Sequence, residues 1–265
     1  AALRRLDLLL QLAEQTRLYL DLTGLGCYRK GDVPAWYDAL SEGGRWTAQA
    51  QFWQTVARRC AHSPAVFCYD LMNEPLSPGG QRKPGDWYSG STLGGYDFLQ
   101  FIALDQGSRP REEIAVEWIH ALTRAIRRRD PKTLITIGML PWTKEMGYLS
   151  GFIPKKIAPA LDFISVHIYP TAGKVNEALD VLARFAVGKP VVIEETFPLS
   201  CSADELETFL LQSRNHAVGW MGHYNGMTPD EYEQKHHAGS LTMADAIWES
   251  WLNLAIKIEP EMVGP

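Results

Sequence analysis

Four cysteines in 265 residues, none in a Cys-x-x-Cys pair, are too few to staple a chain of this size, so the fold must rest on a packed core. No run of 18 apolar residues occurs, and the leucine-rich start is broken by Arg4, Arg5, Asp7, Gln11 and Glu14, which predicts an amphipathic helix and no membrane span. Positive charge is also short, with 26 Lys+Arg against 31 Asp+Glu. The one basic run, Arg127 to Arg129, reads as a solvated helix end, so nucleic acid is not expected as a partner. His-Glu-x-x-His and similar paired spacings are missing, and neither a metal nor a cofactor is called for. Internal repeats and linkers are lacking as well, which predicts one domain over 1–265. The compartment stays open, secreted or periplasmic if a leader has been removed, and the sequence does not set the oligomeric state.

What the chain does have is 46% hydrophobic residues, enough for a large core. Short apolar, β-branched or aromatic runs alternate with helical periodicity, the pattern of a parallel α/β fold. Six strands are predicted, at 17–22, 65–72, 133–140, 162–169, 190–197 and 217–224. The last four recur at close to the roughly 31 residues of one unit in a (β/α)8 barrel of about 250 residues. The expectation is therefore a TIM-type (β/α)8 barrel with six β/α units visible and its N-terminal strands absent from this chain; an open α/β sheet is the alternative. Apolar stripes at helical spacing fall on Trp46, Ala50, Trp53, Ala57 and Cys60; on Ala115, Trp118, Ile119, Leu122 and Ile126; and on Val175, Ala178, Leu179, Leu182 and Ala186. Ser202 with Glu205 forms a capping box, and 241–258 reads as a closing helix. Two long glycine- and proline-rich stretches, 24–45 and 76–110, read as loops leaving the carboxyl ends of strands, where barrel enzymes place their chemistry.

The chemistry-bearing residues lie at strand ends. Tyr69-Asp70-Leu71-Met72-Asn73-Glu74-Pro75 is an apolar strand ending in an amide and a carboxylate, with proline expected to stop the ladder. Asn73 and Glu74 are adjacent and would face opposite ways on a regular strand, which predicts a bulge there. Val191 to Ile193 run into Glu194 and Glu195 in the same manner. Two carboxylates at one barrel mouth match what glycosidic cleavage needs, one to protonate the leaving oxygen and one to attack or stabilise the anomeric carbon.

Asn-Glu-Pro closing one strand, His167-Ile168-Tyr169 closing a later one and a carboxylate closing the next resemble the cellulase-like glycoside hydrolases of family 5, over roughly residues 17 to 225. The resemblance implies a retaining O-glycoside hydrolase acting on an oligo- or polysaccharide, with Glu74 as acid/base and Glu195 as nucleophile. It also implies that Asn73 contacts the sugar and the nucleophile, and that His167 and Tyr169, which share strand parity, face the cleft. Glu194 competes for the nucleophile's place, since the family usually carries a small residue before its nucleophile and Glu195 follows a glutamate; parity with Val191 and Ile193 makes Glu195 the choice.

The chain departs from the family pattern in two places. Asp21-Leu22-Thr23 stands where the family commonly has Asp-x-His, and Trp220 falls early on the last strand, with His223 near the place of the usual tryptophan floor. Trp220, Trp142 and His223 are the remaining candidates for substrate binding. Trp36 and Trp87 lie in loops, where a tryptophan either stacks on sugar or anchors its loop, whereas Trp53, Trp118, Trp248 and Trp251 read as core. Two other functions stay in view: a barrel that binds carbohydrate without cutting it, and a metal-dependent hydrolase drawing on His216, His223, His236 and His237.

Overall fold

A computed structural model of the chain describes residues 2–26, 29–90, 92–141 and 150–262. These group into two compact units, 1–165 and 166–265. No helix among the described residues is long and apolar enough to cross a membrane.

The first unit opens with α1 (Ala2–Thr16), the predicted amphipathic helix, and β1 (Leu20–Thr23). A 3-10 turn (Lys30–Asp32) and α2 (Ala35–Asp38) lead to α3 (Glu42–Cys60), which is followed by β2 (Val66–Asp70). After the loop strands described below come α4 (Arg111–Arg127), β7 (Leu134–Thr136), β8 (Gly138–Met139) and α5 (Pro154–Ile157). The order β1-β2-β7 is parallel, with Leu22 opposite Tyr69 and Tyr69 opposite Ile135. Parallel strands covered by helices are buried on both faces, which is why β2 and β7 read as apolar runs rather than as alternations.

Helices α3 and α4 pack against each other. Trp118, Ile119, Leu122 and Ile126 of α4 are wholly buried, as predicted. On α3 the stripe holds for Trp53, Ala57 and Cys60, but its first two turns bury Arg45 and Gln49 in place of Trp46 and Ala50. The reason is a polar network that replaces apolar packing. The Arg45 guanidinium lies between the rings of Tyr37 (3.9 Å) and Trp87 (4.3 Å) and donates to Asp38 Oδ1 at 3.1 Å. Gln49 donates to the Tyr37 hydroxyl (3.0 Å) and accepts from Trp118 Nε1 (2.8 Å). A buried charge is tolerated only when it is paired and stacked in this way. The basic run after α4 is also more than a solvated end, since Arg127 donates to the Thr133 carbonyl at 2.6 Å and pairs with Asp162.

The segment 76–110 is not structureless. β3 (Pro75–Leu76) pairs in parallel with β6 (Gln100–Phe101), and β4 (Thr92–Leu93) forms a hairpin with β5 (Tyr96–Asp97). Pro75 therefore begins a short strand instead of ending one, a position where its missing N–H costs nothing. Trp87 is fully buried and donates from Nε1 to the Asp38 carbonyl (3.0 Å), so it anchors its loop.

The second unit begins inside β9 (Ile164–His167) and continues through α6 (Val175–Ala183), β10 (Val191–Thr196), α7 (Ala203–Ser213), β11 (Gly219–Gly222), α8 (Pro229–Ala238) and α9 (Met243–Met262). β10 lies between β9 and β11 and runs parallel to β11, with Ile193 opposite Trp220 and a register shift before Thr196 meets Gly222. The predicted capping box is present, Ser202 accepting from the Glu205 N–H while the Glu205 carboxylate accepts from the Ser202 N–H. Helix α6 stops at Ala183, leaving Ala186 outside it and Phe185 in the core. Helix α8 was not anticipated, although Thr228 and Glu231 form a second capping box, Pro229 opens the helix and Gly239 closes it at φ 62°.

β11 meets α9 at unusually close range, because a Cβ built on Gly222 would lie 2.5 Å from Cζ2 of Trp251. Gly222→Ala is expected to destabilise the protein by about 1–3 kcal/mol through overpacking, read as a lower urea midpoint with an unchanged slope.

Candidate active site

In the second unit the residues flagged from sequence converge on one carboxylate. Glu195 sits near the carboxyl end of β10 with its side chain 22% exposed. The Tyr169 hydroxyl donates to its Oε1, and His223 Nδ1 lies 3.2 Å from the same oxygen. His167, almost fully buried on β9, places Nδ1 3.6 Å from Oε2. The backbone sets this arrangement: Ile168 N–H donates to the Glu195 carbonyl (3.0 Å), and His223 N–H donates to the Thr196 carbonyl (2.8 Å). His167 and Tyr169, two residues apart, reach the same side of the sheet.

Burial alone would raise the pKa of Glu195, since it penalises the charged form. The His223 hydrogen bond, the His167 charge and the Tyr169 hydrogen bond outweigh that penalty and hold the carboxyl at about 2. Glu195 is therefore an anion throughout the range in which proteins work.

Strict alternation accounts for only part of the Glu194–Glu195 pair. The register shift between Ile193 and Thr196 lets both carboxylates approach one imidazole, with Glu194 Oε2 3.7 Å from His167 Nε2. Nothing in a two-residue period announces this, so the placement of Glu194 beside His167 was missed. Trp220 takes the other side of β11: its ring packs 5.9 Å from that of Trp251 on α9, while His223 reaches Glu195. His236 turns to Glu249 on α9 at 2.9 Å, and His237 lies 3.8 Å from Glu233.

In the first unit, Asn73 and Glu74 follow the end of β2. The predicted bulge is instead a left-handed bend, with Glu74 at φ 45°. A non-glycine residue there carries roughly 1–3 kcal/mol of strain that its surroundings must hold in place. They do so through Gly138, whose N–H donates to Asp70 Oδ1 (2.8 Å) and whose carbonyl accepts from Glu74 N–H (2.9 Å). The Glu74 residue is 6% exposed. Asn73 donates from Nδ2 to the Phe98 carbonyl at 3.1 Å, tying it to the loop ahead of β6. Gln100 on β6 in turn donates to the carbonyls of Leu25 (2.7 Å) and Gly26 (2.8 Å), fixing the start of the first long loop. Trp142 lies outside the described residues, as does Cys27.

Residues 31–251 match Cellulase (glycosyl hydrolase family 5). The chain belongs to that family. The chain is also similar to mannan endo-1,4-β-mannosidase A of Hypocrea jecorina, 24% identical over 73% of this chain and 43% of the relative. Among solved structures, the catalytic domain of Thermobifida fusca endoglucanase Cel5A aligns over 97% of this chain and 74% of its own, at 14% identity and a TM-score of 0.60. A Streptomyces cattleya GH5_18 structure in complex with Manβ1-4GlcNAc aligns over 86% of this chain and 58% of its own, at 15% identity and a TM-score of 0.59. These likenesses fix the fold class as the α/β, TIM-type fold of family 5. The chain spans less than half the length of the curated relatives it matches.

The electrostatics of Glu195 have a measurable signature. Its folded pKa is depressed below the ordinary 4.5, so the stability it contributes is complete above pH 4.5 and is lost as pH falls towards about 2. Carboxyl-carbon NMR should find Glu195 ionised at pH 4. Tyr169→Phe should move its midpoint upward, and an unmoved midpoint would mean that Tyr169 does not stabilise the anion.

Proposed function

We propose that the protein is a retaining O-glycoside hydrolase in which Glu195 is the nucleophile and Glu74 the acid/base. The observation that carries this reading is the convergence of Tyr169, His167 and His223 on Glu195. A carboxylate kept ionised inside a mostly buried site by three polar partners is prepared to meet a developing positive charge. The family 5 match runs across both units, which supports treating 1–265 as one catalytic domain.

In the first step a carboxylate oxygen of Glu195 attacks the anomeric carbon while Glu74 gives its proton to the departing oxygen. In the second, Glu74 takes a proton from water, which displaces Glu195 and restores the starting configuration. Retention of this kind requires the two carboxyls to stand about 5–5.5 Å apart. His167, Tyr169 and Asn73 border the reacting centre in this reading, with Trp142 as a further candidate for sugar contact. The substrate class is a β-1,4-linked polysaccharide. Mannan comes first, because mannan endo-1,4-β-mannosidases are among the relatives, and β-glucan second.

The test is turnover of β-mannan and of cello-oligosaccharides, followed by proton NMR of the first-formed reducing end. The β-anomer should appear first. Glu195→Gln should abolish turnover with the fold intact, and Glu74→Gln should lower it by about 10²–10⁴-fold. Tight oligosaccharide binding by the wild-type protein without product release would replace this reading with a carbohydrate-binding function.

A further inference from the structure

The two oxygens of Glu195 are not equivalent. Oε1 receives the Tyr169 hydroxyl and stands 3.2 Å from His223 Nδ1, whereas Oε2 faces His167 Nδ1 at 3.6 Å, beyond hydrogen-bond length. The groups facing this carboxylate are His167 and Tyr169 at the end of β9, Glu194 on β10 and His223 just past β11.

His223 is held for the task even though its side chain is 44% exposed. Its N–H is bonded to the Thr196 carbonyl, one residue beyond Glu195. The residue before it, Gly222, is pressed against Trp251. The residue after it, Tyr224, stacks edge-on to Trp248 at 5.4 Å, and Trp248 lies 4.7 Å from Phe197, two residues beyond Glu195. These links tie His223 to Thr196 at the end of β10, to Phe197 just past it and to α9.

We infer that His223 is a positioning residue that, with Tyr169, clamps Oε1 of Glu195, leaving Oε2 to attack and making the carboxylate a fast leaving group in the second half of the reaction. The inference rests on the reading of Glu195 as nucleophile. In the first step an Oε2 lone pair forms the bond to the anomeric carbon, the bond to the leaving oxygen breaks, and that oxygen takes the Glu74 proton. Oε1 becomes the ester carbonyl and its negative charge disappears. In the second step water bonds to the anomeric carbon and loses a proton to Glu74, while the electrons of the carbon–Oε2 bond return to the carboxylate. Charge reappears on Glu195 at that moment, and donors fixed on Oε1 stabilise it there. The clamp thus favours departure of the carboxylate, at some cost to its nucleophilicity, in keeping with the depressed pKa of Glu195.

The experiment uses 2,4-dinitrophenyl β-mannobioside and β-cellobioside, whose leaving group needs no proton, so that release of Glu195 limits turnover. For His223→Ala, kcat should fall about 10- to 100-fold, the range expected for loss of one charge-assisted hydrogen bond. KM should fall with it, kcat/KM should change far less, and a dinitrophenolate burst should accompany a glycosyl adduct on Glu195 visible by mass spectrometry. His223→Gln, which keeps a donor without the charge, should lie between, and it carries the test if the alanine variant does not fold. Equal losses in kcat and kcat/KM without an adduct, or an unchanged kcat, would overturn the clamp while leaving the nucleophile in place. Full turnover by Glu195→Gln would instead remove the nucleophile, and the clamp with it.

Discussion

A carboxylate withdrawn from water must be repaid by neighbours or give up its charge, and the second unit is arranged around that requirement. Glu195 keeps its charge because Tyr169 and His167 rise from β9 and His223 from the end of β11, one on each side of β10. The central strand presents the acid and its flanking strands present the donors. Backbone bonds from Ile168 to the Glu195 carbonyl and from His223 to the Thr196 carbonyl set the heights at which these side chains meet. Register in the sheet and electrostatics at its mouth are thus a single constraint.

Glu74 is held differently. It stands just past the end of β2 in a conformation that only a glycine adopts freely, and the Gly138 peptide pins it from both sides through Asp70 and its own N–H. Asp70 is almost completely buried, so its carboxylate serves the bend and not solvent. The strand-ending motif therefore contains its own support: the residue four before Glu74 in the chain holds the neighbouring strand that holds Glu74.

Much of this was legible in the amino-acid order. The six apolar runs became strands within a few residues of their expected limits, the run 133–140 dividing into β7 and β8, and the signal was densest where the strands are most buried, as in β9 and β10. His167 and Tyr169 were correctly set on one side by counting in twos. Counting failed where the backbone departs from regular geometry. The bend at Glu74 and the register shift between Ile193 and Thr196 have no periodic signature, so the approach of Glu194 to His167 could not be read from the sequence. The long stretch 76–110 looked structureless because its strands are two residues each, too short for any alternation to register. Arg45 and Gln49 misled for another reason: a buried polar network looks in sequence like a solvated helix face. Helix α8, by contrast, carried readable signals in Thr228, Glu231, Pro229 and Gly239, and its weak apolar stripe hid them.

The stacked guanidinium of Arg45 has a consequence for how such a protein diversifies. Asp38 ends the short helix α2 within the first long connection, Trp87 lies in the second, Gln49 in the helix between them and Trp118 in α4, yet all four depend on that single cation or on its immediate neighbours. Loops on barrel scaffolds are usually thought of as independently exchangeable, but here two are locked to one helix face. Variation in the rim of this molecule must therefore travel as a package, and a graft that moves only one loop would strand a positive charge in the interior.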